Sequence, residues 1–87
     1  MPATREQIRA VLCSPEFTDG EKYVVRMQYR HAIPAGNFEE KLWDLMCAAD
    51  EDNLTLLGKA FPAEVHAMLS WRYGQLGTRI RKAGLDI

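Results

Sequence analysis

Apolar residues recur along this chain in short registers, most of them stepping at helical intervals. Ile8, Val11 and Leu12 share one helical face behind Thr4, whose hydroxyl forms a capping-box pair with Gln7 three residues later. Pro15 disfavours helical geometry at Ser14, so this element is predicted to end near Cys13. Phe17, in the loop after it, is the expected plug tying that connection to the core.

Residues 21–33 carry two patterns at once. Val25, Met27, Tyr29 and His31 alternate with Arg26, Gln28 and Arg30 as in a strand, while Val25, Tyr29, Ala32 and Ile33 trace a helical stripe. Thr18 or Asp19 can cap a helix with Glu21 in its first turn, and no second strand pattern offers a pairing partner. A helix is therefore predicted, with a small strand or hairpin as the alternative.

Pro34, Ala35 and Gly36 break the chain, and Asn37 stands in N-cap position for a third helix. Phe38, Leu42, Leu45, Met46 and Ala49 form its apolar face with Trp43 at the border, and Glu39 and Glu40 suit its positive first turn. Asp52 or Asn53 can cap a fourth helix presenting Leu54, Leu57 and Phe61, interrupted by Gly58. Pro62 fits the first turn of a fifth, lined on one side by Val65, Met68, Leu69 and Arg72. Gly74 and Gly77 weaken the next segment, leaving a short basic helix over residues 78–83 closed by Gly84, with Leu85 and Ile87 as an apolar tail that tucks back. The expected fold is all-α: one domain over residues 1–87, a small bundle of four to five short helices. The alternative is α+β with a strand or hairpin at residues 21–33.

Composition bounds the function. A chain of 87 residues buries only about two-thirds of its unfolded surface, so self-association is a natural supplement to its stability. With 47% hydrophobic and 26% charged residues, the balance is that of an ordinary globule rather than a disordered tail. No apolar run approaches the roughly 20 residues of a membrane span and the first residues carry no signal-peptide pattern, so no membrane association and a cytoplasmic location are expected. Cys13 and Cys47 each sit in an apolar helical pattern and are expected as buried thiols rather than a disulfide. The net charge of −1 hides an acidic middle, residues 39–64, and a basic stretch, residues 65–87.

Candidate chemistry is sparse. Residues 50–53 (Asp, Glu, Asp, Asn) invite a calcium reading, but an EF-hand loop counted from Asp50 would need Gly and Glu where Thr55 and Phe61 stand. His31 and His66 lack a metal-ligating neighbour at helical spacing, and Ser14 and Ser70 lack a base, so neither a metal, a cofactor nor catalytic activity is expected. Trp71, Arg72 and Tyr73, with Arg79 and Arg81, are residue types that anchor protein interfaces, and they form the first candidate partner-binding set. The acidic face of Glu39, Glu40 and Asp44 is the second. The same basic aromatic tract supports a rival nucleic-acid reading, including a helix-turn-helix squeezed into residues 54–73. Against it stand the pI near 6.1 and the lack of base-reading side chains in the first half of the second helix of that pair. A third class is an oligomer that captures a small anion or nucleotide signal through Arg26, Arg30 or Arg72.

From Tyr29 to Ser70 the order of features resembles a group of small, mostly uncharacterised accessory proteins of tailed bacteriophages and prophages. The matching residues are the aromatic and basic helix end Tyr29-Arg30-His31, the break Pro34-Ala35-Gly36-Asn37-Phe38, then Leu42 and Leu45, the junction Ala49-Asp50-Glu51-Asp52-Asn53, and Ala60-Phe61-Pro62. The tract from Trp71 onward has no counterpart in that pattern. The resemblance implies an all-α protein without catalytic residues, in the cytoplasm of a bacterial host. It would act through a protein interface on a host factor or on itself, for example as an inhibitor of a defence component such as a CRISPR complex.

Overall fold

A computed structural model describes residues 3–86, so Met1, Pro2 and the Ile87 half of the expected tail lie outside the described residues. The fold is all-α. The chain runs through α1 (Arg5–Leu12), α2 (Asp19–Gln28), α3 (Asn37–Ala48), α4 (Glu51–Ala60), α5 (Pro62–Tyr73) and α6 (Leu76–Lys82). That is six helices among the described residues, where four to five were expected. The sixth starts at Leu76 rather than Thr78 because Leu76 and Gly77 are already buried and helical. No strand or hairpin forms over residues 21–33, so the α+β alternative is not supported.

Local chemistry sets the helix starts. Thr4 accepts a hydrogen bond from the Gln7 backbone N–H at 3.2 Å while the Gln7 side chain accepts one from Thr4 N–H at 2.8 Å. Thr18 and Glu21 repeat the arrangement at the start of α2. Each box satisfies two backbone donors that the helix itself leaves without partners. Pro62 opens α5, as its fixed φ and missing N–H favour. Two caps differ from expectation. Asp50, not Asp52 or Asn53, caps α4 by accepting from Asn53 N–H at 2.8 Å. Gly36 occupies the N-cap place of α3 and Asn37 is its first helical residue.

The core gathers around α5, which packs against α2, α4 and α6, while α1 rests on α2. Val24, Val25, Met46, Met68, Leu76 and Ile80 are fully excluded from solvent. Helix α2 is covered on several sides, which explains its double pattern: Tyr23, Val24, Val25 and Met27 are all buried, so apolar residues are needed around most of its circumference. The helix ends at Gln28, and residues 29–33 turn, held by Ala32 and Ile33 N–H groups that both donate to the Tyr29 carbonyl. Phe17 is buried as the expected plug, and Leu85 is buried after Gly84, whose φ of 103° turns the chain back.

Helix α3 is rotated from its expected orientation. Leu42, Trp43 and Met46 are buried, whereas Phe38 is 65% and Leu45 54% exposed. Phe38 therefore does not enter the core; its ring lies against Phe61, centroids 5.9 Å apart. Both cysteines are exposed and free, so neither is the buried thiol the apolar pattern implied. Cys13 lies just past the last turn of α1, and Cys47 lies on the flank of α3 away from Met46. Leu69, expected on the same side of α5 as Val65 and Met68, is exposed at the surface, while Val65 and Met68 are buried together with Ala67.

Candidate functional site

Three chain segments meet at one surface groove of about 540 Å³. The end of α2 and the turn after it supply Gln28, Arg30 and His31; the second half of α3 supplies Trp43 and Cys47; the last turn of α5 supplies Trp71 and Arg72. Helix α2 stops at Gln28, so Arg30 and His31 leave the helical spiral and stand exposed at the rim. Trp43 forms the buried floor, its ring edge-on to Tyr23 with centroids 6.1 Å apart. Trp71 is half-buried, and α6 passes beside it at Gly77, where a methyl would stand at an ordinary 3.5 Å from the Trp71 ring.

Each arginine at this groove closes a helix end. Arg30 donates to the Met27 carbonyl at 3.2 Å, at the C-terminal end of α2. Arg72 donates across to the Cys47 carbonyl at 3.4 Å, at the C-terminal end of α3. Cations at these positions complement the negative end of the helix dipole. Each contact uses one of the five N–H donors of a guanidinium, and neither of the two ion pairs found among the described residues involves Arg30 or Arg72. Among the described residues no acidic side chain lines the groove.

An adjoining groove of about 530 Å³ shares Gln28, His31 and Trp71 with the first and continues past Tyr29 to Arg81 and Asp86. Arg81 donates to the Thr78 hydroxyl at 3.3 Å. The Tyr29 hydroxyl donates to the Asp86 carboxylate at 2.5 Å. That bond, outweighing some desolvation, holds the Asp86 carboxyl below its ordinary value. Burial, reinforced by the same bond, pushes the Tyr29 phenol up to about 12.

The sequence-predicted sets divide in space. Trp71 and Arg72 lie together in the first groove and Arg81 in its continuation. Tyr73 is 82% exposed and is not part of the first groove's lining. Arg79 is engaged elsewhere: it pairs with Glu21, donates to the Glu16 carbonyl at 2.9 Å and stacks over the Phe17 ring at 5.1 Å. Burial alone would raise the Glu21 carboxyl, but the Thr18 backbone bond and the Arg79 guanidinium together bring it below its ordinary value. Arg79 thus clamps the first loop onto α6.

The acidic set is partly spent as well. Glu39 accepts from Arg26 at 3.0 Å, and its backbone carbonyl accepts from the Tyr23 hydroxyl at 2.7 Å. Arg26 is accordingly withdrawn from the anion set that sequence suggested, leaving Arg30 and Arg72, which the fold does bring to one groove. Glu40 is half-buried and Asp44 exposed on α3. Helix α5, the second helix of the helix-turn-helix pairing, is the central helix and buries Val65, Ala67 and Met68. Gln28 and His31 join the site although no local pattern marked them for it. The signal that could have found them is the turn after Gln28, masked by an apolar stripe that continues in helical register to residue 33.

Comparison of the chain with protein-family models, with curated proteins and with solved structures finds no match in any of the three. Among the described residues no helix is long and apolar enough to cross a membrane.

Proposed function

We propose that the protein is a non-catalytic interaction module that holds a partner protein in the groove between Trp71, Arg72 and the turn after α2. The observation that carries this reading is the convergence of Arg30, Arg72, Trp43 and Trp71 from three segments into one open, acid-free groove. Tryptophan and arginine are the side chains that most often dominate binding energy, because they bury much area at little entropic cost and bond through rigid forks. In the phage setting implied by the resemblance of residues 29–70, the partner is a host protein such as a defence component. Affinity capture from bacterial lysate on wild type and on Arg30→Glu/Arg72→Glu protein tests the reading, with helicity checked by circular dichroism. A partner kept by wild type and lost by the variant supports it; equal recovery contradicts it.

A second reading rests on the outer face of α3 and α4. Leu45 and Leu56 are 54% and 60% exposed and line one apolar groove with Ala48, Ala49 and Leu57, which favours self-association. Light scattering across a concentration series separates the two, since a monomer at all concentrations removes this second reading.

A further inference from the structure

The two adjoining grooves form a trough with an uneven charge pattern. Its first half carries Arg30, His31 and Arg72 with no carboxylate among the described residues; its second half carries Arg81 and the Asp86 carboxylate seated on Tyr29. Asp86 is placed by its neighbour: Leu85 is buried and its N–H donates to the Ile80 carbonyl at 3.4 Å. The pair is thus an apolar anchor followed by an acid laid against an aromatic hydroxyl. On the shared wall, Gln28 offers both a donor and an acceptor, the equipment needed to bond a peptide unit.

Resting on the interaction-module reading, we infer that the trough takes an extended acidic segment of the partner protein, the Asp86 carboxylate on Tyr29 being a built-in example of the same chemistry in its second half. One partner carboxylate lies across the N–H groups of Arg30 and Arg72 that the helix-end carbonyls leave over, and an apolar side chain lies on Trp71. Carboxylate is favoured over the phosphates of a nucleic acid. A peptide can set a carboxylate in the first half and an uncharged residue beside Asp86, whereas a regular run of phosphates would meet the carboxylate in the second half. A free small anion would fill only part of a trough this long.

The test uses the full chain and tryptophan emission. The probes are an acetylated, amidated hexapeptide with the repeat Leu-Asp-Glu, its Leu-Asn-Gln counterpart, oligothymidylate, and inorganic phosphate. The acidic peptide is expected to bind at least about tenfold more tightly than its amide counterpart, and Arg72→Gln to weaken it about tenfold, as loss of a charged hydrogen bond does. Asp86→Asn is expected to tighten it about threefold, the size of one screened like-charge repulsion. Equal binding of the two peptides, preference for oligothymidylate, an equal phosphate response, or no response to any probe overturns the inference. None of those results touches the capture experiment, which stands or falls on whether a partner is lost with Arg30 and Arg72.

Discussion

Gly20 gives the packing its sharpest test, because a single methyl there acts on the contact between α2 and the central helix. A methyl built on Gly20 would overlap the Ala63 carbonyl oxygen and stand 2.8 Å from its carbonyl carbon, against at least 3.4 Å for ordinary contact. Both atoms are backbone, so neither can rotate away, and the start of α5 must retreat from α2 by more than about 0.6 Å, the shortfall at the carbonyl carbon alone. Such a gap forfeits at least a quarter to a half of the dispersion energy of the atoms it separates, along the contact between α2 and α5. Overpacking costs about 1–3 kcal/mol, and the lower backbone entropy of alanine returns at most about 1 kcal/mol. Gly20→Ala is expected to destabilise the protein by about 1–2 kcal/mol. Gly58→Ala is the control: its methyl meets the Val65 side chain at an ordinary 3.7 Å, and as a mid-helix change it should stabilise by about 0.5–1 kcal/mol. Urea titration gives both values as shifts in midpoint at constant slope, with thermal shifts of about 4–8 °C per kcal/mol as a second measure. A neutral or stabilising Gly20→Ala at unchanged slope would refute the close packing of α2 on α5.

Other consequences are simpler to check. Arg79→Ala removes the pair with Glu21, the bond to Glu16 and the stacking on Phe17, for an expected loss of about 1–2 kcal/mol from a half-exposed site. Glu21 lies below its ordinary 4.5 in the folded chain, so its contribution is present above that value and fades as pH falls through the folded pKa. The gap between Arg79→Ala and wild type should therefore narrow in acid urea titrations, and a constant gap would contradict the pairing. Burial first, then the Glu39 and Glu64 charges, pushes the Tyr23 phenol up to about 12. With Tyr29 also raised, stability should hold below the ordinary 10.0 and fall as pH climbs toward 12, and Tyr23→Phe should flatten that fall. Cys13 and Cys47 are exposed, so both should react with a thiol reagent at native pH without any loss of helicity.

How much of the fold is legible in the sequence depends on the range of the forces involved. The capping boxes at Thr4 and Thr18 and the proline at position 62 are readable because their partners lie within one helical turn. The orientation of α3 is not. The stripe through Phe38, Leu42 and Leu45 and the stripe through Leu42, Trp43 and Met46 share a residue, and only contact with α2 and α5 decides which faces inward. Trp71 and Arg72 stand out as an aromatic and basic tract left over from the core. Arg79 belongs to the same tract but is claimed by Glu21, 58 positions earlier in the chain, and no local pattern reveals such a pairing. Arg30 and Arg72 are each visible, but that they share a groove depends on α2 ending at Gln28 and on α3 and α5 meeting there.

The central claim is that partners bind the trough and not the apolar face of α3 and α4. Trp43 and Trp71 are the chain's two tryptophans, and both line the first groove, so their indole N–H resonances report on it directly. On addition of a captured partner to isotope-labelled protein, both indole signals and the amides of residues 28–31 and 71–72 are predicted to shift, while those of Leu45 and Leu56 stay in place. Shifts at Leu45 and Leu56 with unmoved indoles would contradict the account.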